Sequence, residues 1–186
     1  FREKNMKKLF LVSAMIFGTT ACVSTELSNQ NAPYDASKDA RIRLYGQNGR
    51  PSYLTVNIDG KKEKVTIGGG LGQAFSSMVG AKGNESIGMP ETELSKDPSA
   101  HSKFLSGIFF KEFVIPANNE ISVTNEIIQL DHTHTHYTAT EKITTIVKGK
   151  NCKGNTVTFI PEAGKDYEVA PISSDRECGV TVYEIK

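Results

Sequence analysis

From residue 40 onward, apolar and polar positions alternate through most of the chain, the period-two signature of half-buried β-strands. ARIRLY (40–45) sets Ile42 and Leu44 on one face and Arg41, Arg43 and Tyr45 on the other. GQNGRPS (46–52) is a turn cluster, after which YLTVNI alternates through Leu54, Val56 and Ile58. Asp59-Gly60 then marks a hairpin into KVTI (64–67), so residues 40–67 predict three antiparallel strands. Strand signals return in GIFFKEFVIP (107–116) and EISVTNEIIQL (120–130), with the turn Pro116-Ala117-Asn118-Asn119 between them. Threonines and β-branched residues dominate the remainder: ATEKITTIV, NTVTFI, KDYEVAPI and CGVTVYEI, with Pro161-Glu162-Ala163-Gly164 turning the second into the third.

One segment breaks this rhythm. In GGGLGQAFSSMVG (68–80), Leu71, Ala74, Phe75, Met78 and Val79 follow i, i+3, i+4, i+7, i+8 spacing, which predicts a short amphipathic helix. Its glycines have neither a GxGxxG register nor a Gly-Lys-Ser/Thr ending, so they do not make a phosphate loop. Residues 80–103 carry little pattern and predict a long surface loop, with a helical turn near 98–104. The whole is a mainly β chain: a single antiparallel β-sandwich or partly open barrel with one short helix.

The N-terminus has a different logic. Residues 1–5 precede Met6 and are set aside; Met6-Lys7-Lys8 is a short basic start, and Leu9 to Phe17 is an apolar run too short to span a bilayer. Gly18-Thr19-Thr20-Ala21 then leads to Cys22. That layout is a secretory signal peptide, and a cysteine directly after the small residues resembles the bacterial lipobox, in which it is lipidated and becomes the mature N-terminus. Thr19 stands where that motif usually has an aliphatic residue; the alternative is ordinary cleavage with Cys22 left as a thiol. Val23, rather than Asp, follows the cysteine, which by the same resemblance favours the outer membrane, with the domain facing the periplasm. The expected organisation is residues 1–21 removed, 22–39 a lipidated cysteine with a flexible tether, and 40–186 one β-rich domain. Sixteen tether residues, 23–38, would hold that domain roughly 20–25 Å from the lipid.

Charge and cysteines narrow the partners. Removing residues 1–21 takes four basic and one acidic residue from the 22 basic and 21 acidic side chains, leaving 18 against 20. Nothing in that balance argues for nucleic acid or for an electrostatically bound membrane surface. With Cys22 used for lipid, Cys152 and Cys178 remain, and an oxidising periplasm favours a disulfide between them over two buried thiols. Closing that loop would stabilise the fold by about 3 kcal/mol.

PSYLTVNIDGKK, FKEFVIPANNEISV and FIPEAGKDYEVAPISSDRECGVTVYEI together resemble bacterial envelope lipoproteins of unassigned activity with PEGA-like β modules. The likeness lies in strand and turn chemistry, so it implies a β-sandwich and an envelope location and transfers no catalytic residues.

Candidate chemistry centres on DHTHTHYT (131–138), which holds three of the four histidines. On a strand, His132, His134 and His136 share one face with neighbours roughly 6.5–7 Å apart. Zn–N bonds are about 2 Å, so only two adjacent histidines can converge on one ion, with further ligands from elsewhere. Asp131 has the wrong parity, and His101 is distant in sequence. The row is therefore either a Zn or Cu site using two histidines at a time, or the solvated face of a strand. Glu112, Glu120, Glu126 and Asp131 read as solvated carboxylates, and Phe109, Phe110, Phe113, Phe159, Tyr167 and Tyr183 as core or cross-strand aromatics. There is no GxSxG, no HExxH and no cysteine nucleophile outside the expected disulfide. The expectation is a non-enzymatic, lipid-anchored envelope protein that serves as an accessory or interaction module through the 80–103 loop and exposed strand edges. A transition-metal module through His132, His134 and His136 is the alternative, and a sugar-binding or hydrolytic domain the third reading.

Overall fold

A computed structural model describes residues 24–69, 83–98, 107–129, 131–149, 151–172 and 177–186. The helix expected at 71–79 lies outside those residues, as do Cys22 and His101. Among the described residues are ten strands: β1 (Asp39–Gly46), β2 (Ser52–Ile58), β3 (Lys61–Ile67), β4 (Phe109–Pro116), β5 (Ile121–Ile127), β6 (His132–Tyr137), β7 (Lys142–Val147), β8 (Cys152–Phe159), β9 (Asp166–Pro171) and β10 (Val180–Ile185). A four-residue helix, α1 (Glu93–Lys96), sits just before the helical turn expected near 98–104.

The strands form two four-stranded sheets, β10-β9-β1-β4 and β3-β2-β5-β8, and a separate ribbon β6-β7. β2 and β3 are the expected hairpin, turned by Asp59 and Gly60 at φ 51° and 78°, as a type I′ turn requires. β1 does not join them. It crosses to the other sheet, pairs antiparallel with β4 and runs parallel to β9. The expected three-stranded unit is thus split between two layers, and one pairing is parallel. Pro116-Ala117-Asn118-Asn119 likewise carries the chain from one sheet to the other rather than closing a hairpin.

Alternation decides which side chains meet between the layers. Ile42, Leu44, Phe113, Ile115, Val169 and Val180 from one sheet pack against Leu54, Val56, Val65, Ile67, Ile121 and Val123 from the other. Three devices cover the strand edges, where unpaired backbone groups would otherwise invite association. Asn84 and Glu85 bond along the edge of β4, through Phe110 N to Asn84 Oδ1 at 3.1 Å and Glu112 N to Glu85 O at 3.0 Å. Near β10, the Asn155 amide imitates a strand by accepting from Val180 N at 2.8 Å and donating to Val180 O at 3.1 Å. The Cys152–Cys178 disulfide closes the same corner, with Cα atoms 6.1 Å apart.

The third device involves the segment expected to be a free tether. Thr66 N donates to Ser24 O at 2.9 Å, and Leu27 is buried in the core. Ser28 donates from N and Oγ to Glu63 at 2.9 and 2.6 Å. Asn29 and Gln30 then donate to the β4 carbonyls of Val114 and Glu112. Residues 24–30 therefore stitch β3 to β4. Their polar composition hides this role, because six polar side chains surround the one apolar residue that reaches the core.

Candidate functional site: the histidine ribbon and the buried charge row

β6 and β7 pair in register from His132 opposite Val147 to Tyr137 opposite Lys142. Side chains directly opposite share a face, so His132, His134 and His136 lie beside Val147, Thr145 and Ile143, while Thr133, Thr135 and Tyr137 lie beside Ile146, Thr144 and Lys142. All twelve strand residues are exposed. Tyr137 is 70% exposed and Ile146 60%, so the ribbon is an arm that buries neither face on the sandwich. Six residues make it about 20 Å long.

Local bonds hold the arm at both ends. At its tip, Thr138 N donates to Glu141 O at 2.8 Å and Glu141 N to Thr138 Oγ at 2.9 Å. At its base, Asp131 accepts from Gly149 N at 2.9 Å and from Lys148 Nζ at 3.0 Å. These hydrogen bonds, the backbone one first, hold the Asp131 carboxyl below the usual carboxylate range.

The histidines occupy the expected strand, on one face. Their cross-strand neighbours Val147, Thr145 and Ile143 supply no imidazole or carboxylate. Asp131 is already bonded at the base. Among the described residues no group of three His, Cys, Asp or Glu side chains could hold a metal ion. The arm can offer at most an adjacent pair, and a further ligand has to come from another molecule or from residues outside those described.

A second constellation leaves little trace in the sequence. The polar face of β1 is not in water. In register, Arg43 lies between Glu112 of β4 and Glu168 of β9, and Arg41 beside Asp166. Arg43 donates from Nε and Nη2 to Glu112 Oε1 at 2.9 and 2.7 Å and from Nη1 to Glu168 Oε1 at 3.1 Å. Glu112, read as a solvated carboxylate, is 0% exposed. Its other oxygen accepts from Ser86 Oγ at 2.8 Å, Ile87 N at 2.7 Å and Met89 N at 3.2 Å. Glu168 Oε1 also accepts from Tyr45 and Thr92 hydroxyls, both at 2.7 Å, and Arg43 donates to Pro90 O at 2.8 Å. Thr92 caps α1 by accepting from Ser95 N, while Ser95 Oγ accepts from Thr92 N.

The described part of the expected surface loop is thus a strap clasped across the sheet by one arginine and two glutamates. Each charge has a partner, the condition under which buried ions are tolerated. Burial works against the Arg43 charge, but its bonds to Glu112 and the charge of that carboxylate outweigh it and hold the guanidinium above its ordinary value. Burial, then the bond to Glu168, pushes the Tyr45 phenol well up. With its oxygens and N–H groups turned onto the strap, the cluster is a structural clasp. The available signal was weak: an Arg-x-Arg-x-Tyr face and two isolated glutamates about 70 and 125 positions away.

A groove of about 270 Å³ lies beside Asn57, Lys62, Asn119 and Glu120. Glu120 is its single carboxylate, so it lacks the acid pair of a glycosidase. No protein-family model matches this chain, and none of the curated proteins or solved structures compared with it is significantly similar.

Proposed function

We propose that the chain is a non-enzymatic, lipid-anchored envelope protein, held at the outer membrane through Cys22, and that it works as a protein-interaction module whose contact element is the β6–β7 arm. The observation that carries this reading is the exposure of all twelve arm residues, four of them large and apolar: Tyr137, Ile143, Ile146 and Val147. A two-stranded ribbon alone is marginal in water and gains stability when a further strand or an apolar surface covers it. Its outer edges offer backbone donors and acceptors to an added strand, and its alternating side chains offer selectivity. Within the 80–103 loop, Ile87 N, Met89 N and Thr92 Oγ1 are bonded into the clasp, which favours the arm over that loop as the contact element.

The test is mild cross-linking in cells at native abundance, with the intact protein compared with Ile143→Glu/Ile146→Glu. The reading expects a defined partner that co-purifies with the first and is lost from the second at unchanged thermal stability. Recovery of the protein alone in both cases contradicts it.

A second reading, a Zn or Cu module through His132, His134 or His136, draws on the three imidazoles sharing one exposed face. Calorimetry on a chain that retains Ser24 and Leu27 tests it. Unchanged affinity after all three histidines become alanine ends it.

A further inference from the structure

The docked N-terminal segment changes where a lipid anchor would hold the domain. Ser24 is bonded to Thr66 beside the edge strand β3, and Leu27 is locked in the core. Two peptide units separate Cys22 from Ser24, a reach of about 7 Å even when fully extended. A sixteen-residue spacer is therefore not available, and an acylated Cys22 would bring the β3 edge to the level of the lipid headgroups.

That edge is basic. Lys61, Lys62 and Lys64 on β3 are all exposed. Among the described residues none of the three has a carboxylate within ion-pair distance. Glu63 between them is bonded to Ser28 and feels the Lys61 charge more weakly, Asp59 sits in the hairpin turn, and Lys64 Nζ lies 4.1 Å over the Tyr53 ring. Lysines also guard edge strands against unwanted pairing. That role calls for charge anywhere along an exposed edge, however, and here Lys64 directly precedes Val65 and Thr66, where Ser24 docks, with Lys62 and Lys61 farther along the same strand. β3 and β8 are opposite edges of one sheet, three strand spacings or about 14 Å apart, and the arm leaves the sheet between β5 and β8.

We propose that the β3 edge, through Lys61, Lys62 and Lys64, is a membrane-contact surface that lies against anionic lipid headgroups. This rests on the lipid-anchor reading of Cys22. It gives the anchor an orientation: the β3 edge down on the bilayer, with β5 and β8, the strands that lead into and out of the arm, farther from it across the sheet.

The experiment uses the full chain purified from cells, placed in detergent micelles, in phosphatidylcholine vesicles and in vesicles containing phosphatidylglycerol. Lysine acylation by a water-soluble reagent is followed by mass spectrometry, and the intact mass reports acylation of Cys22. The expected result is labelling of Lys61, Lys62 and Lys64 slowed at least fivefold in anionic vesicles relative to micelles, the scale of about one headgroup interaction per lysine. Lys142 and Lys148 on the arm should label equally in both. Lys62→Glu/Lys64→Glu should raise Lys61 labelling in anionic vesicles to its micelle rate. A chain with no acyl mass overturns the anchor reading and this proposal with it. An acylated chain whose β3 lysines label at the micelle rate overturns the docking and leaves the anchor standing. Equal protection in neutral vesicles overturns recognition of anionic headgroups.

Discussion

Arg41, Arg43 and Tyr45 on β1 and His132, His134 and His136 on β6 share one spacing and one strand geometry, yet their surroundings are opposite. Arg43 and Tyr45 are about 1% exposed, cross-linked to Glu112, Glu168 and the strap above them. The histidines stand in solvent on a ribbon whose two strands pair with each other and with neither sheet. Alternation identifies a polar face; whether anything covers that face depends on residues far away in sequence. For β1 the cover arrives from residues 84–92, and its neighbouring carboxylates from β4 and β9. For β6 the one strand neighbour among the described residues is β7, supplied by the same hairpin.

Because the β1 row is buried and fully paired, it is where a single substitution should cost most. Glu112→Ala takes the acceptor from Arg43 Nε, leaving the guanidinium only Glu168 and Pro90 O, and removes the acceptor for Ile87 N and Met89 N. A loss of about 3–5 kcal/mol is expected in chemical denaturation, with the Ile87 and Met89 amides exchanging far faster than in the parent. A change under 1 kcal/mol would place that row in water after all. Thr92→Ala removes both the cap of α1 and a bond to Glu168. It should cost about 1–2 kcal/mol and loosen the strap alone, as hydrogen exchange over residues 84–96 would record.

The exposed row should respond in the opposite way. Replacing His132, His134 and His136 together by alanine is expected to change stability by less than about 0.5 kcal/mol in thermal melts. A larger loss would reveal packing that the arm's exposure denies. Acid should act at its base: the Asp131 carboxyl is held below its ordinary 3.8, so its contribution is present above that value and lost as pH falls through the lower folded-state value. The Gly149 amide proton should report this by NMR, titrating in the wild type and not in Asp131→Asn.

Much of the local structure was legible from the chain. Strand alternation, the Asp59-Gly60 turn and the Cys152–Cys178 pairing all rest on short-range chemistry and composition, and each is present. Less legible were the pairings between distant segments. β1 finds β4 across more than sixty residues and then β9 in parallel, and no feature of ARIRLY announces either partner. Glu112 sits in an unremarkable FFKEFVIP strand; its burial follows from facing Arg43 rather than from its own neighbours. Leu27 is the converse case, a single apolar residue whose docking turns an expected tether into an edge strip. The arm's strand and histidine face were readable from DHTHTHYT; its detachment from the sandwich was not, because its partner β7 is a β-branched run, Ile143-Thr144-Thr145-Ile146-Val147, that would suit a covered strand equally well.

The most direct test of the arm as contact element is site-specific photo-cross-linking in intact cells, with the reactive residue placed at Thr135 or, on the exposed face of β2, at Asn57. The account predicts a discrete higher-mass adduct from Thr135 that disappears in the Ile143→Glu/Ile146→Glu background, and none from Asn57. No adduct from Thr135, or the same adduct from both positions, would contradict it.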